Sequence, residues 1–131
     1  MLAKKHRLSK QKEIQKVFRS RFINKTTDFK VFLILDTNNR AFKFLVFVPK
    51  KVSKKAAERH RIKRKVVAAI ELISKNSHIP ASVSCVIQVT NKNLLYKKVN
   101  SLYEDLNTLL GKLFFAAFER TSFKSSTFKP S

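Results

Sequence analysis

The sequence of 131 residues is short of several residue types on which active sites and redox sites depend. Its single glycine, Gly111, leaves no glycine-rich loop to bind a nucleotide phosphate. Its single cysteine, Cys85, excludes an intramolecular disulfide, and the apolar run VSCVIQV around it predicts a buried and unreactive thiol. Negative charge is also scarce, since 8 Asp and Glu stand against 29 Lys and Arg, for a formal net charge of +21. Such a charge favours an anionic partner.

The few acidic and histidine side chains are too dispersed for a hydrolytic site made by the protein. Hydrolysis of a phosphodiester by protein groups needs metal-binding carboxylates, or an acid and a base that reach the same bond. The only close pair of acids, Glu104 and Asp105, points to different sides of a predicted helix. The three histidines have no metal-ligand spacing with one another or with the cysteine. We therefore predict no catalytic residue and no metal bound by the protein.

Long apolar stretches are absent as well. No run approaches the ~20 residues that a membrane-spanning helix needs, and the first ten residues, MLAKKHRLSK, lack the apolar centre of a signal peptide. Together with the lone cysteine, these features favour the cytoplasm. The hydrophobic fraction is nevertheless 44%, with 12 Phe, which is enough for one folded domain over residues 1–131. We expect a basic arm at 1–8 and a mobile tail at 121–131.

Hydrophobic periodicity and turn residues divide the chain into alternating helices and strands. The predicted elements are a helix at 9–20, strands at 28–35 and 42–49, a helix at 56–75, a strand at 83–89 and a long helix at 95–118, with a further short strand at 22–25 left open. Ser9 is expected to cap the first helix. The strands on either side of the turn at 36–40 are expected to pair as a hairpin. The order predicts an α+β sandwich, in which helices back a sheet.

The densest cationic stretch opens the central helix. Nine of the sixteen residues from Lys50 to Lys65 are Lys or Arg, against one acid, Glu58. The helix can still bury an apolar stripe, whose members recur at helical spacing: Ile62, Val66, Ala69, Ile70 and Ile73. A basic helix face is most often only solvated, and like charges one turn apart repel. Here the charge density and the shortage of acids favour a polyanion, with nucleic acid the first candidate and an anionic membrane the second.

The same stretch resembles a known family. The run KKVSKKAAERHRIKRKVVAAI, residues 50–70, is similar to the signature of the bacterial ribonuclease P protein subunit, in which two lysines end a strand and an Arg-Asn-Arg-Ile-Lys-Arg run opens the central helix. The resemblance extends upstream through KHRLSKQKEIQKVF, residues 5–18, and weakens after Ile73. Two positions depart from the family, because His60 stands where an Asn is usual and Ser53 where a Gly is usual. His60 either donates a hydrogen bond to a phosphate or a turn, or merely fills space.

The resemblance implies a fold, a cofactor and partners. The implied fold is an αβββαβα two-layer sandwich with a four-stranded sheet and a left-handed βαβ crossover. The implied chemistry belongs to an RNA subunit, with Mg²⁺ held mainly by that RNA and by the substrate. The protein is expected to bind ribonuclease P RNA and the 5′ leader of precursor tRNA, with no obligate protein partner.

Site residues follow from the positions that match the family. The resemblance assigns Arg59, Arg61, Lys63 and Arg64 to the RNA subunit, and His60 and Lys65 of the same run are expected to bind it with them. The residues implied to bind the leader are Ile14, Phe18, Phe32, Lys50 and Lys51. Aromatic side chains on a sheet can stack under unpaired bases, although Phe18 and Phe32 also suit a core. Ile14 replaces a family aromatic, so an aliphatic surface stands in for part of the stacking platform.

The resemblance predicts the accessory protein subunit of ribonuclease P, an endoribonuclease that removes the leader to give the mature 5′ end of tRNA. The alternative is a structural RNA-binding protein such as a ribosomal component. Charge and fold class fit that alternative equally well, whereas the Arg-His-Arg-Ile-Lys-Arg motif after a Lys-Lys strand end does not. A cationic protein of membrane surfaces is a third and weaker candidate, because the apolar faces are predicted to be committed to a core.

Overall fold

A computed structural model describes residues 4–20, 22–36, 38–77 and 79–128 of the chain, with side chains as far as residue 118. The first three residues of the predicted arm, the last three of the predicted tail, and His78 lie outside the described residues. The elements in chain order are a 3-10 helix η1 (Lys4–His6), α1 (Gln11–Phe18), β1 (Phe22–Lys25), β2 (Phe29–Leu35), β3 (Lys43–Phe47), α2 (Ala56–Asn76), β4 (Val83–Val89), a second 3-10 helix η2 (Lys92–Tyr96) and α3 (Val99–Phe128).

The four strands form one mixed sheet in the order β1-β2-β4-β3. β2 runs antiparallel to both β1 and β4, whereas β3 runs parallel to β4 and is joined to it by α2. The predicted hairpin of β2 and β3 is therefore wrong, because β4 lies between them. β4 is almost uniformly buried, which suits a central strand covered on both faces, and a parallel neighbour requires a crossover through a helix. The left-handed sense of that crossover stays a prediction.

One face of the sheet packs against α2 and α3 and holds the main core. Alternate residues of each strand point to this face, among them Phe29, Val31 and Leu33 of β2. The predicted apolar stripe of α2 is confirmed, since its five members are at most 1% exposed. Cys85 is also fully buried here, as predicted, and burial raises the pKa of its thiol. The buried leucines of α3 complete this core: Leu102, Leu106, Leu109, Leu110 and Leu113.

The opposite face of the sheet carries α1 and a smaller core. α1 contacts β2 and β4, and an ion pair of 3.2 Å between Glu13 and Lys43 ties it to β3. Thus α2 and α3 form the predicted sandwich with the sheet, while α1 adds a partial cover on the other side. Because α1 has only 8 residues, part of this face stays open to solvent. The buried members of the smaller core are Leu8, Val17, Phe32 and Val86.

The described part of the basic arm docks against β3. The amide of Leu8 donates a hydrogen bond of 3.0 Å to the carbonyl of Phe44, and the His6 ring stacks on Phe42 with 3.9 Å between ring centroids. Leu8, in the segment predicted as a basic arm, is 1% exposed and so belongs to the smaller core. Backbone pairing and burial here cover the otherwise free edge of the sheet.

The first and the last helix have boundaries that differ from the sequence prediction. α1 begins at Gln11 with Lys10 as its N-cap and has no side-chain cap, so the prediction that Ser9 caps this helix is wrong. The last helix begins at Val99, because the segment before it forms η2, which the Asn91 side chain caps. α3 then continues to Phe128, so its backbone enters the segment expected to be mobile, and that mobility stays a prediction.

Candidate nucleic-acid interface

The first turns of α2 form a cationic surface. Arg61, Lys63 and Arg64 are exposed there, and His60 is exposed beside them. The buried stripe of the same helix explains this arrangement, because packing Ile62 and its partners against the sheet turns the remaining positions towards solvent. Three exposed cations, with His60 beside them, thus share one solvent-facing surface.

Arg59 and Lys65, the other two predicted cations, are engaged in local contacts. Arg59 donates from Nη1 to the carbonyls of Ser53 and Lys54 at 2.9 and 3.0 Å, which holds the turn before the helix. Lys65 donates from Nζ to three carbonyls around the end of η2, with distances of 2.6, 3.1 and 3.4 Å. An ammonium group has three donors, so these contacts use all of them.

Ser53, Glu58 and Lys92 link three segments at the same end of α2. The Ser53 hydroxyl donates to Glu58 at 2.6 Å, and Lys92 of η2 pairs with the same carboxylate at 3.3 Å. The hydrogen bond from Ser53 is the main cause that holds the pKa of Glu58 below its ordinary value, and Lys92 acts in the same direction. The one acid of the cationic stretch therefore has a structural use, which the sequence alone did not reveal.

Lys50 and Lys51 lie in the connection between β3 and α2. Both are exposed, and the turn around them is closed by a hydrogen bond of 3.0 Å from the amide of Val52 to the carbonyl of Pro49. This places the two lysines just beyond the end of a strand, as predicted, and the strand order makes that strand an edge of the sheet. β2, which carries Phe32, is separated from β3 by β4, so β2 and β3 lie about 10 Å apart in the sheet.

A second candidate surface is the part of the sheet face that α1 leaves uncovered, which we call the open sheet face. Phe18, at the end of α1, packs edge-on against Phe32 with 5.0 Å between ring centroids. Phe18 is 40% exposed while Phe32 is 6% exposed, so Phe32 forms the floor and Phe18 the accessible wall. The Nζ of Lys30 lies 5.1 Å from the Phe32 ring centroid, which adds a cation beside the aromatic pair.

The open sheet face also includes side chains that the sequence did not single out as ligands. Ile23 of β1 is 44% exposed and pairs with Phe32 across the strands. Phe47 of β3 is 45% exposed, and it lies in the same row as Lys30 because both pair with Gln88. The alternation of β2 already put Lys30 on the side of Phe32. Which residues of the other strands lie beside them on that face could be known only from the strand order.

Ile14 contributes to this region mainly by packing. It is half-buried against the smaller core rather than presented on the open sheet face. A polar pocket of about 440 Å³ lies elsewhere, between the β1–β2 turn and α3, where Lys25, Asp28 and Lys112 are among its lining residues. It includes no residue of either candidate surface.

Comparison with known proteins decides the family. A family model described as Ribonuclease P matches residues 2–114. The chain belongs to the ribonuclease P protein family. It is 32% identical over 102 residues to the ribonuclease P protein component of Phytoplasma australiense, an alignment that covers 78% of this chain and 88% of that protein. Membership of the ribonuclease P family implies a role in tRNA processing, within a ribonuclease complex that includes ribonuclease P RNA.

Solved structures of ribonuclease P proteins share this fold. The Staphylococcus aureus RNase P protein matches with a TM-score of 0.67 at 18% identity, covering 81% of this chain and 93% of that one. The Thermotoga maritima RNase P protein matches with a TM-score of 0.65 at 20% identity, covering 81% of this chain and 96% of that one. The α+β fold implied by the sequence resemblance is thereby confirmed. No helix within the described residues is long and apolar enough to cross a membrane.

Proposed function

We propose that this chain is the accessory subunit that binds ribonuclease P RNA through the start of α2 and the 5′ leader of precursor tRNA through the open sheet face. The RNA subunit performs the hydrolysis that releases the leader. The observation that carries the proposal is the cationic surface of α2. Its exposed Arg61, Lys63 and Arg64 are held on a helix whose opposite side is fixed in the core.

The charge and the rigidity of that surface suit RNA phosphates. Lys and Arg neutralise phosphates and release counterions, so the affinity falls as salt rises. Arginine adds planar, bidentate contacts that lysine lacks. In this proposal His60, which is exposed among these cations, donates a hydrogen bond to a phosphate. Arg59 and Lys65 support the surface from within, because their donors hold the turn before α2 and the end of η2.

The open sheet face suits an unpaired strand. Exposed Phe18 and Phe47 present ring faces or edges on which bases can stack. Lys30 presents a cation to the phosphate backbone of the bound strand. Lys50 and Lys51 lie beyond the end of β3 and extend the positive charge along one end of this face. Ile14 supports Phe18 from α1 rather than stacking on a base. The leader of precursor tRNA is single-stranded and fits this combination.

Magnesium belongs to the RNA and the substrate in this proposal. Among the described residues, no group of three or more His, Cys, Asp or Glu is placed to hold a metal ion. In this proposal the protein side chains do not themselves need to hold Mg²⁺. Their contribution is to neutralise phosphates and to position the leader, which lowers the Mg²⁺ concentration at which RNA and substrate assemble.

Reconstitution tests the function. The protein is mixed with ribonuclease P RNA of the same organism, and cleavage of 5′-labelled precursor tRNA is followed at low Mg²⁺. We expect the protein to stimulate cleavage at the mature 5′ end, with no cleavage by the protein alone. Cleavage by the protein alone would contradict the assignment of chemistry to RNA. RNA binding without any stimulation would favour a structural RNA-binding protein instead.

The leader contact has its own test. Phe18→Ala is expected to weaken binding of leader-bearing tRNA about five- to a hundredfold, the range of one lost stacking contact, and to leave mature tRNA unaffected. Phe115→Ala is the matched control, because Phe115 is an exposed phenylalanine of α3, on the other side of the sheet. Equal losses for both tRNAs would mean that Phe18 acts only as a packing residue.

A further inference from the structure

Tyr96 has an exposure that its role in the fold does not explain. Its side chain is 81% exposed, the highest value among the large hydrophobic side chains of the described residues. It ends η2, whose Leu94 is fully buried and anchors the segment in the core. A single surface aromatic is ordinary in itself. The residues around Tyr96 indicate what could bind to it.

η2 lies along the first three turns of α2 and is fixed to that helix at both ends. Lys92, at its start, pairs with Glu58 at 3.3 Å. At its end, Lys65 donates to the carbonyls of Leu95 and Lys97 at 2.6 and 3.1 Å. Glu58 and Lys65 are about 10 Å apart along the helix axis, which matches the length of a short 3-10 helix. Tyr96 is therefore held in a defined position beside α2.

The side of α2 on which η2 lies is the side of the arginines. At about 100° per residue, Glu58 and Lys65 lie within about 20° of each other, and Arg61 follows about 40° further round the helix. Arg64 lies another 60° or so beyond Arg61. The exposed surface thus passes without interruption from Arg64 through Arg61 to η2.

The charges around Tyr96 identify the kind of ligand that fits. Lys92 and Lys98, both exposed, flank the ring in sequence, while Lys97 is engaged with the buried carboxylate of Asp28. Lys92 also shares its charge with Glu58, so Lys98 is the exposed lysine beside the ring that no acid holds among the described contacts. A ring next to such a lysine, on the side of α2 that carries Arg61 and Arg64, matches how proteins bind unpaired nucleotides, with the base on the ring and the phosphates on the cations. An anionic membrane would need an apolar face, and the exposed neighbours of Tyr96 are polar.

We propose that η2 is an additional RNA-binding element, in which Tyr96 stacks on an unpaired base of the ribonuclease P RNA that α2 binds. The inference rests on the proposed function and extends it to a segment outside the motif at the start of α2. Because Glu58 and Lys65 already fix η2, little conformational entropy is lost when a base stacks on the ring.

A single-tryptophan variant reports the contact directly. The chain has no tryptophan, so Tyr96→Trp introduces a unique fluorophore that keeps a stacking surface. Titration with ribonuclease P RNA is expected to quench its emission, and added salt is expected to reverse the quenching. Phe115→Trp is the matched control, since Phe115 is 69% exposed and about 25 Å along α3 from the start of that helix. Its emission is expected to stay unchanged.

Affinity measurements complete the test. Tyr96→Ala is expected to weaken binding of ribonuclease P RNA about five- to a hundredfold, whereas Tyr96→Phe retains the ring and most of the affinity. Phe115→Ala should bind as the unmodified protein does. Unchanged affinity of Tyr96→Ala, in a protein whose binding still depends on Arg61 and Arg64, would overturn this inference alone. Absence of RNA binding by the unmodified protein would overturn the proposed function with it.

A membrane outcome is also distinguishable. If the emission of Tyr96→Trp shifts to shorter wavelength on anionic phospholipid vesicles, and is not quenched by RNA, the surface is a lipid contact and the proposal is wrong. Tyr96 is almost fully solvent-exposed, so none of these variants should alter folding. An unchanged urea midpoint checks this.

Discussion

Arg64 and Lys65 are neighbouring cations for which the structure predicts opposite effects. Replacing either by Met removes one positive charge and keeps a long unbranched side chain. Arg64 is exposed, so its charge is available to a phosphate. Lys65 donates to three backbone carbonyls, and no donor is left for a ligand. We expect Arg64→Met to weaken RNA binding and Lys65→Met to weaken the fold.

The size of each effect follows from these contacts. Two of the Lys65 hydrogen bonds, at 2.6 and 3.1 Å, have ordinary lengths, and the third, at 3.4 Å, is long. Hydrogen bonds from a charged donor contribute about 1.5–3 kcal/mol each, and the half-buried position of Lys65 favours the lower end. Lys65→Met should therefore lower the free energy of unfolding by about 2–3 kcal/mol. Arg64→Met should change it by no more than about 0.5 kcal/mol.

The salt dependence of RNA binding distinguishes the two variants in the opposite way, because only Arg64→Met is expected to change it. Each lost phosphate contact reduces the slope of log K against log salt by about 0.9. Arg64→Met is expected to reduce the slope by about that amount, and the double variant Arg61→Ala with Arg64→Ala by about 2. Lys65→Met should leave it unchanged. A control pair, Lys75→Ala with Lys112→Ala, removes two exposed charges elsewhere and should also leave it unchanged.

Two assays measure these effects. Urea denaturation followed by circular dichroism gives the stability, and a loss of 2–3 kcal/mol lowers the midpoint by about 1–2 M at an m-value near 1.5 kcal/mol/M. Filter binding to ribonuclease P RNA at several KCl concentrations gives the slope. The reasoning is refuted if Lys65→Met reduces the slope as Arg64→Met does while its urea midpoint stays at that of the unmodified protein.

Three further predictions concern the fold around the two surfaces. Lys97→Met should lower the free energy of unfolding by about 2 kcal/mol, because the Asp28 side chain is only 7% exposed and loses its cation. Adding Asp28→Asn should restore part of this loss, as measured by urea denaturation. The hydrogen bond to Asp28 raises the pKa of Lys97 above its ordinary 10.5, so this stabilisation is complete below pH 10.5 and is lost as the pH rises through the higher folded pKa. The difference in stability between the unmodified protein and Lys97→Met should therefore shrink at strongly alkaline pH. A difference that grows there would contradict the pairing. Cys85 should not react with a thiol reagent at pH 8 until urea unfolds the protein, since its thiol is fully buried with a raised pKa, and rapid reaction of the native protein would disprove its burial. Ile62→Val should cost about 1 kcal/mol of stability without changing the salt slope of RNA binding, and a change in slope would show that the buried stripe does more than hold α2.

Much of the fold and of the basic surface could be predicted from local patterns. The five members of the α2 stripe are the residues that the helical period selects, and all of them are buried. β4 occupies Val83–Val89 as the apolar run indicates, and β1 occupies the weakly indicated segment Phe22–Lys25. These succeed because a period of 3.6 or 2 is a property of one element and of the side that it buries.

Pairing between distant segments could not be predicted in the same way. The hairpin of β2 and β3 was favoured by their proximity in sequence, yet β4 pairs with both. Three apolar strands can be arranged in several orders, and the choice depends on which strand is covered on both faces. Leu8 illustrates the same point, because its burial comes from docking on β3 and not from any pattern in the arm.

The sequence by itself determined the net charge, the burial of one side of α2 and the position of the cations on its other side, since each of these is fixed by composition or by a local period. The tertiary structure alone decided which cations are free. It assigned Lys65 to the end of η2 and Glu58 to Ser53 and Lys92, and it left Arg61 and Arg64 exposed. The physical reason is that a hydrogen bond between segments depends on their distance in space, which no one-dimensional pattern contains.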